Sequence, residues 1–332
     1  MRKYSVLTWL IGGYIALIAF WLLSRFLVFD QFWPLALLNT VAEYLFLPIP
    51  LLIILSIWRR QWAPMLLLLL PVIAFAGLFG GLFWPPLPRP TQLQEESLIT
   101  VMSFNVLHEN QNYDAIVSSI KAASPDLIGF EELTPEIAQA IDQRLKTEYP
   151  YGTLQGMEEG RSAGVLSRFP IEKDEWFSLP PRDIALHTVI TIEERQVHVF
   201  VVHLSPNNFF EYPVTEFIPL VIERYGRRAV EVNLLEAEIG ALTEPVLLLC
   251  DCNLTDTSEA YAHLNSFLDD SFHEVGWGLG HTLHPPGFPF PVQRIDYVWH
   301  SDDFVALEAF VGQAGGSDHL PIVAKLKLIN VP

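Results

Sequence analysis

The sequence predicts an α/β domain preceded by a membrane anchor of about three transmembrane helices. The chain has 332 residues, 51% of them hydrophobic and only 17% charged. Nearly all of its long runs of Leu, Ile, Phe and Trp lie before about residue 85. From residue 97 onward, short β-rich runs alternate with amphipathic segments, which is typical of an α/β domain. The anchor is therefore assigned to residues 1–84 and the folded domain to residues 97–332.

Three apolar stretches in the anchor are long enough to cross a bilayer as helices. They cover about residues 6–29, 35–58 and 63–84. The first lacks the short apolar core and small-residue cleavage site of a signal peptide, so we expect it to be retained. The second contains Asn39, Glu43 and two prolines. A re-entrant segment is the alternative there and would leave one or two true spans.

The positions of Lys and Arg predict the orientation of a multi-pass protein in the cell membrane. Arg2 and Lys3 precede the first stretch, and Arg59 and Arg60 lie between the second and third. Such residues favour the cytoplasmic side. Three spans then place the domain on the periplasmic or extracellular side, whereas a non-spanning second stretch would leave it in the cytoplasm. Residues 85–96 are rich in proline and predict a stiff linker.

The charge of the domain limits its partners. After residue 90 the chain has 14 basic and 36 acidic side chains, a net charge of −22. An acidic surface repels the phosphate backbone and disfavours non-specific binding of nucleic acid. A small phosphate substrate neutralised by a metal ion is still compatible with this charge.

The domain pattern predicts eight strands and four helices. The strands are Leu98–Phe104, Leu127–Glu131, Ala163–Leu166, Leu186–Ile192, Val197–Val202, Val246–Leu249, Arg294–Trp299 and Ile322–Leu328. The helices are Tyr113–Ala123, Pro135–Thr147, Glu223–Leu242 and Ser258–Leu268. About 240 residues suffice for one domain with a substantial core.

Polar side chains recur where these apolar strands stop. They are Asn105, Glu131, Glu132, His203, Asp251, Asn253, Asp296, Asp318 and His319. Each alone has an ordinary explanation as a turn residue, a helix cap or a structural histidine. Strand ends that converge would instead gather them in one cleft, where they can hold a hard divalent cation and perform acid–base chemistry. Their joint occurrence favours such a site.

The ordered motifs resemble the endonuclease/exonuclease/phosphatase superfamily. They are Ser-Phe-Asn105-Val, Pro125-Asp-Leu-Ile-Gly-Phe-Glu-Glu132-Leu, Gly164-Val-Leu-Ser-Arg-Phe-Pro-Ile171, His203-Leu, Asp251-Cys-Asn253, Arg294-Ile-Asp296-Tyr and Gly-Ser317-Asp318-His319-Leu-Pro. The similarity extends over about Leu98 to Leu328. It implies a four-layer α/β sandwich in which two packed mixed β-sheets are flanked by helices. It also implies Mg²⁺- or Mn²⁺-dependent cleavage of phosphoester bonds by direct attack of water.

The resemblance implies three residues for the metal site. Glu132 matches the metal-binding glutamate of the family, an anionic oxygen ligand suited to Mg²⁺. Asn105 would help to hold the metal or a phosphate oxygen. Asp318 would complete the metal environment.

The resemblance also implies five catalytic residues. Asp251 would position and deprotonate the attacking water, and the amide of Asn253 would stabilise charge on phosphate oxygens. His319 would contact the phosphate, with Asp296 holding its ring and favouring the imidazolium. His203 matches a second histidine of many members and is a candidate to protonate the leaving group.

Two motifs depart from the family pattern. Many relatives have Gln-Glu where this chain has Glu131-Glu132, so whether Glu131 shares the metal role stays open. The family usually has Gly-Asp-Phe-Asn where this chain has Cys250-Asp-Cys252-Asn. In an extended segment the cysteines lie on the face opposite Asp251 and Asn253, and we expect them to be buried free thiols.

Two segments are candidates to shape specificity. Ser205–Leu220 is apolar and aromatic and begins beside the predicted cleft. It predicts a lid or a loop that dips into lipid headgroups; a helix packed on the sheet or against the anchor is the alternative. His281–Pro291 resembles a variable loop at the rim of the site.

The leading hypothesis is a membrane-anchored, metal-dependent phosphoesterase that acts on phospholipid headgroups or small phosphoesters. A metal-dependent nuclease acting on DNA is the enzymatic alternative, because many relatives cleave DNA and a local basic patch is compatible with a net-acidic domain. A non-catalytic membrane receptor on the same scaffold is the third hypothesis. The oligomeric state is open.

Overall fold

The computed structural model describes residues 5–84, 98–157, 162–179, 183–209 and 212–329. The chain divides into two compact units. The first is Met1–Trp84 with Thr257–Glu259, and the second is Pro85–Asp256 with Ala260–Pro332. The predicted linker at residues 85–96 lies outside the described residues.

The first unit consists of apolar helices. They are α1 (Val6–Val28), α2 (Trp33–Thr40), α3 (Pro48–Trp58), α4 (Trp62–Leu67) and α5 (Leu69–Phe79), with 3₁₀ turns at Phe29–Gln31, Ala42–Phe46 and Gly80–Phe83. Two continuous helical stretches, Val6–Gln31 and Trp62–Phe83, are long and apolar enough to cross a membrane. The first begins at Ser5, whose hydroxyl accepts a hydrogen bond from the Thr8 N–H.

The middle stretch is broken. Trp33–Thr40 and Ala42–Trp58 are bent by 76° relative to each other, so they add a third span only if the pair crosses as one. The backbone leaves the helical conformation at Val41, where φ is −120° and ψ is 23°. Asn39, one of the polar residues of this stretch, is buried and accepts a 2.9 Å hydrogen bond from Trp21 Nε1. A satisfied amide is tolerated in an apolar interior.

The second unit contains twelve described strands in two mixed sheets. The strands are β1 (Leu98–Asn105), β2 (Leu127–Glu131), β3 (Tyr151–Leu154), β4 (Ala163–Ser167), β5 (Ile171–Leu179), β6 (Asp183–Ile192), β7 (Arg195–His203), β8 (Val246–Asp251), β9 (Asp269–Asp270), β10 (Asp296–His300), β11 (Phe304–Val311) and β12 (Ile322–Leu328). One sheet has the order β11-β12-β1-β2-β4-β3 and the other β5-β6-β7-β8-β10-β9. Two pairs, β1/β2 and β7/β8, are parallel, and the other pairs are antiparallel.

Helices cover the outer face of each sheet. They are α6 (Tyr113–Ala123), α7 (Pro135–Leu145), α8 (Phe217–Ile239), α9 (Glu259–Leu264) and α10 (Ser271–Val275). α6 and α7 bury their apolar stripes on the first sheet, and α8 and α9 pack on the second. α8 begins six residues before the predicted helix start at Glu223, so the end of Ser205–Leu220 is helical.

The inner faces of the two sheets pack closely against each other. At Gly129 on β2, an added Cβ would lie 2.7 Å from Leu249 Cδ1 and 3.0 Å from Val201 Cγ2 of the other sheet. Only glycine allows this approach. The layers are therefore helices, sheet, sheet and helices, which confirms the predicted four-layer α/β sandwich.

The two cysteines form a disulfide, so the prediction of free thiols is wrong. Cys250 and Cys252 are fully buried and bonded to each other. Their Cα atoms are 5.0 Å apart, within the range that a disulfide spans. The prediction assumed an extended segment, in which Cα atoms two residues apart are about 6.5 Å from each other, but the chain at Asp251 is less extended than that. The shorter separation allows the two sulfur atoms to bond.

Candidate active site

Three predicted site residues lie side by side on adjacent strands of the second sheet. His203 on β7 and Asp296 on β10 are the direct cross-strand partners of Asp251 on β8. β7 and β8 run parallel and end at the same edge of the sheet, which is where polar groups of parallel strands converge. Asp251 and Asp296 are buried, and the side chain of His203 is partly exposed.

The first sheet contributes Asn105 and Glu132. Asn105 ends β1, and Glu132 follows β2 with a left-handed φ of +59°. Strained backbone of this kind is typical of functional sites. Asn105 Nδ2 donates to Glu132 Oε1 at 3.0 Å and to Asp251 Oδ2 at 2.8 Å. The Asn105 amide therefore links carboxylates from the two sheets. It contacts them through its NH₂ group and not through its oxygen.

Asp251 has a histidine on each side. Its Oδ2 lies 3.5 Å from His203 Nε2 and 3.7 Å from His319 Nε2. Burial raises the pKa of Asp251, the charge of His319 opposes the rise, and the charge of Asp296 adds to it. A carboxylate with a raised pKa is a stronger base than a solvated one.

His319 is held between two carboxylates. Its Nδ1 lies 3.0 Å from Asp296 Oδ2, and Thr282 Oγ1 fixes the strand by accepting from the Asp296 N–H. Burial lowers the pKa of His319, but the charges of Asp296 and Asp251 outweigh this and raise it well above its usual range. The net direction favours the imidazolium form of His319.

Glu132 lies at the mouth of the site with His108. His108 Nδ1 is 2.6 Å from Glu132 Oε2, and the His108 backbone N–H donates to the same oxygen at 3.1 Å. Burial raises the pKa of Glu132, but the hydrogen bonds from His108 and Asn105 and the charge of His203 lower it well below its usual range. Glu132 is therefore an anion over the whole physiological pH range.

The donor atoms fit a divalent cation. One ligand atom each from Glu132, His203 and Asp251 lie within 4.8 Å of one another. Asp318, whose charge interacts with those of Glu132 and Asp251, lies outside this group of three but has a buried Oδ1 with no hydrogen-bond partner among the described residues. Burial raises the pKa of Asp318. The charge of His319 opposes this rise, and the charges of Glu132 and Asp251 add to it. A cation would satisfy the orphaned oxygen and neutralise the clustered carboxylates.

Asn253 faces the loop that follows β7. Its N–H donates to Asp251 Oδ1 at 3.2 Å, and its Nδ2 donates to Leu204 O at 3.2 Å. Asn207 Nδ2 in turn donates to Asn253 O at 2.9 Å. The extended backbone predicted for this segment ends at Asp251, so Asn253 lies beside Asp251 by a turn rather than by strand alternation.

Two buried charged residues of α8 support this loop. Arg228 Nη1 donates to Asn253 O at 2.6 Å and to Asn207 Oδ1 at 2.5 Å. Glu231 accepts from the N–H of Ser205 at 3.0 Å and from its hydroxyl at 2.7 Å. These hydrogen bonds fix the chain after His203 against the turn at Asn253.

Glu131 lies beneath the site rather than at its mouth. It is fully buried, and its Oε1 accepts a 2.9 Å hydrogen bond from Ser103 Oγ, whereas its Oε2 has no partner among the described residues. Burial and the charges of Asp296 and Asp251 raise its pKa well above the ordinary value. A neutral Glu131 carries a hydroxyl in place of an amide and is a close match in shape for the glutamine of the family pattern.

Glu131→Gln is expected to stabilise the chain at alkaline pH relative to the wild type. The unfolded carboxyl ionises near pH 4.5, whereas burial raises the pKa of the folded one well above that value. The stability that protonated Glu131 contributes is therefore complete below that pH and is lost as pH rises, by about 1.4 kcal/mol per unit until the folded pKa is reached. Urea unfolding of the wild type and of Glu131→Gln at pH 5 and pH 8 measures this effect. The same change in the free energy of unfolding between the two pH values in both proteins would contradict it.

Sequence reasoning missed His108, Arg228 and Glu231. The last two carry a recognisable signal, because they occupy the buried stripe of α8 with Val221, Val232 and Leu235. Charged residues at such positions need buried partners. His108 has no comparable signal, since its contact with Glu132 depends on the turn after β1.

The match to a family decides the identification. Residues 102–319 match the sequence profile of the Endonuclease/Exonuclease/phosphatase family. The chain belongs to this family. Members of the family are metal-dependent phosphoester hydrolases. No curated protein matches the chain at a significant level.

Solved structures of the endonuclease/exonuclease/phosphatase family share the fold. A family protein from Bacteroides thetaiotaomicron has 17% identity and a TM-score of 0.57, covering 72% of this chain and 100% of its own. D. rerio TDP2 complexed with single strand DNA product has 16% identity and a TM-score of 0.57, covering 70% and 99%. The human nocturnin catalytic domain with bound sulfate has 17% identity and a TM-score of 0.54, covering 71% of this chain and 96% of its own. At these identities the likeness shows the fold alone.

Proposed function

We propose that this chain is a membrane-anchored, divalent-metal-dependent phosphoesterase that cleaves phospholipid headgroups or small phosphoesters by direct attack of water. One observation carries the proposal: Asp251 lies between His203 and His319 and is linked by Asn105 to Glu132 at the mouth of the site. This arrangement provides a base, a cationic group and metal-ligating oxygens within one cleft. A receptor would need none of these groups to be aligned.

Asp251 is the general base of the proposed reaction. Its raised pKa makes its carboxylate a good acceptor for the proton of an attacking water. The Asn105 amide and the Asn253 N–H each donate to one of its oxygens and so fix its orientation. The side-chain amide of Asn253 is assigned to charge on the phosphate oxygens, and its turn is held in place by α8.

His319 binds the phosphate as an imidazolium. Asp296 accepts from its Nδ1, which leaves the Nε2–H to face the reacting phosphate beside Asp251. A fixed positive charge in a buried site stabilises the negative charge that develops in the transition state. His203 is partly exposed at the mouth and is assigned to protonate the leaving oxygen.

In the proposal Glu132 and Asp318 supply the oxygen ligands of the metal, and Asn105, whose oxygen accepts from the Leu107 N–H, orients Glu132 through its Nδ2 instead of ligating the metal as the resemblance implied. Mg²⁺ or Mn²⁺ bound there would neutralise charge on the phosphoryl group and polarise it toward attack. The ionised Glu132 and the orphaned Asp318 oxygen are the groups that most need a cation.

The net charge and the apolar helices support the proposed substrate class. The net charge of −22 after residue 90 disfavours long nucleic acid, and two helices that can span a membrane favour a substrate in or at the bilayer. The second candidate is a nuclease, because D. rerio TDP2 was solved with a single strand DNA product. A nuclease predicts strongly salt-sensitive cleavage of DNA.

The domain is proposed to face the periplasm or the cell exterior. The order of Lys and Arg along the anchor supports this if the bent pair Trp33–Thr40 and Ala42–Trp58 crosses as one span. The disulfide supports it independently, because disulfides persist in oxidising compartments and are rare in the cytosol.

A substrate panel tests the proposal. The full chain in detergent and Mg²⁺ is given bis(p-nitrophenyl) phosphate, mixed phospholipid micelles or plasmid DNA at two salt concentrations, with Asp251→Asn as the blank. We expect turnover of the diester and release of headgroups, with little action on DNA. Preferred, salt-sensitive cleavage of DNA would favour the nuclease, and no turnover above the blank would favour the receptor.

A further inference from the structure

One long segment of the acidic domain carries no charge. Residues 275–293 contain no Asp, Glu, Lys or Arg, although the chain after residue 90 has a net charge of −22. The segment is instead rich in proline, glycine and aromatic residues. We call the part from His281 to Gln293 the rim loop.

The rim loop is a folded hairpin with an apolar tip. Its two arms are joined by hydrogen bonds from the Leu283 N–H to Gln293 O at 2.9 Å and from the Val292 N–H to Leu283 O at 2.7 Å. The tip turns at Gly287, whose φ is +87°. It presents Phe288 and Phe290 to solvent at 55% and 58% exposure, and Trp277, just before the loop, is 72% exposed.

The base of the rim loop is built into the catalytic site. The His284 N–H donates to Asp318 O at 2.6 Å, and Leu283 forms a β-bridge with His319. Thr282, whose hydroxyl accepts from the Asp296 N–H, accepts a further hydrogen bond at its carbonyl from the Leu320 N–H. The rings of Phe288 and Phe290 therefore stand on the same short segment that contacts three predicted site residues, Asp296, Asp318 and His319.

A second apolar flank leaves the site from the loop after β7. Asn207 ties that loop to Asn253, and the chain beyond it exposes Val214, Ile218 and Ile222 at the beginning of α8. Large exposed apolar side chains in contiguous segments mark an interaction surface rather than ordinary protein surface. Two segments that contact site residues thus lead to exposed apolar side chains.

We propose that Trp277, Phe288 and Phe290 insert into the surface of a lipid bilayer and so present the cleft to phosphoesters of lipid headgroups. Aromatic side chains without neighbouring charges favour the interface between headgroups and acyl chains. The acidic remainder of the domain is repelled by anionic lipid, so the uncharged rim is the part suited to approach it. A bilayer is the occupant because the same chain carries two helices that can span one; the inference rests on this proposed anchoring.

Site-directed fluorescence tests the insertion without using activity. Phe288→Cys and a control, Asp302→Cys, are labelled with an environment-sensitive fluorophore in the full chain in phosphatidylcholine nanodiscs. Asp302 is exposed and lies beyond β10, at the end of that strand remote from Asp296. The native cysteines are buried in a disulfide, so the introduced thiol is the reactive one.

We expect lipids with brominated acyl chains to quench the label at position 288 at least threefold more strongly than the label at position 302. Equal quenching at the two positions would overturn the inference while leaving the proposed anchoring intact. Quenching that requires two labelled chains per disc would assign the surface to a second copy instead. A chain that does not enter nanodiscs would contradict the anchoring and the inference together.

A second variant measures the effect on catalysis. Phe288→Ser with Phe290→Ser is expected to lower the cleavage of bilayer phospholipid at least tenfold and to leave kcat/KM for bis(p-nitrophenyl) phosphate within twofold. Tyr151→Ser is the matched control, because Tyr151 is an exposed aromatic residue that pairs with Ser167 at the end of β3 away from the site. An equal loss on both substrates would assign the two rings to folding rather than to lipid binding.

Discussion

Arg294→Met is expected to lower the free energy of unfolding by about 3–5 kcal/mol. The guanidinium of Arg294 is buried, with Nη1 2.6 Å from Asp270 Oδ2 and Nη2 2.7 Å from Asp256 Oδ2. It also stacks over the ring of Tyr297 at 4.7 Å. Methionine fills much of the volume but leaves two carboxylates without their cation, and an uncompensated buried charge is costly.

Urea unfolding of the full chain in detergent, followed by tryptophan fluorescence, measures this loss. Arg168→Met is the matched control, since Arg168 pairs with Asp126 at 2.9 Å in a partly exposed ion pair. Exposed pairs contribute about 0–1 kcal/mol. A loss at Arg294 no larger than that at Arg168 would contradict the account of this buried cluster.

Asp251→Asn is expected to lower kcat about 10²–10⁴-fold, the range that general bases contribute. The amide keeps the shape of the carboxylate but cannot accept the proton of the attacking water. The fold is expected to persist, because burial of Asp251 disfavours its charged form and a neutral amide avoids that cost.

Steady-state hydrolysis of bis(p-nitrophenyl) phosphate with saturating metal measures the loss in kcat. Asp302→Asn, an exposed carboxylate remote from the site, is the control and should retain full activity. An Asp251→Asn enzyme that keeps more than a tenth of the wild-type kcat would remove Asp251 from the role of general base.

The fold was predictable in its interior and not at its edges. All eight strands predicted from the sequence are interior strands of the two sheets, and the four that were missed, β3, β5, β9 and β11, are the four edge strands. Interior strands are buried on both faces and form continuous apolar runs. β5 is largely exposed and carries Glu, Lys and Asp, so its sequence has no apolar run to recognise.

The candidate site was predictable where strand ends determine it. His203, Asp251 and Asp296 meet because they occupy facing positions on paired strands. The prediction of free cysteines failed because it assumed extended backbone at Asp251, whereas the Cα atoms of Cys250 and Cys252 are only 5.0 Å apart. The conformation of a single residue at the end of a strand depends on its tertiary context, which sequence patterns do not contain.

Metal dependence is the most direct test of the central claim, that the cleft around Asp251 and Glu132 hydrolyses phosphoesters with a bound divalent cation. The full chain, stripped with EDTA, is titrated with Mg²⁺ or Mn²⁺ while hydrolysis of bis(p-nitrophenyl) phosphate is followed for the wild type and Glu132→Gln. We predict no activity in EDTA, recovery on addition of metal, and at least a tenfold higher metal requirement for Glu132→Gln. Full activity in EDTA, or the same metal requirement for both proteins, would contradict the claim.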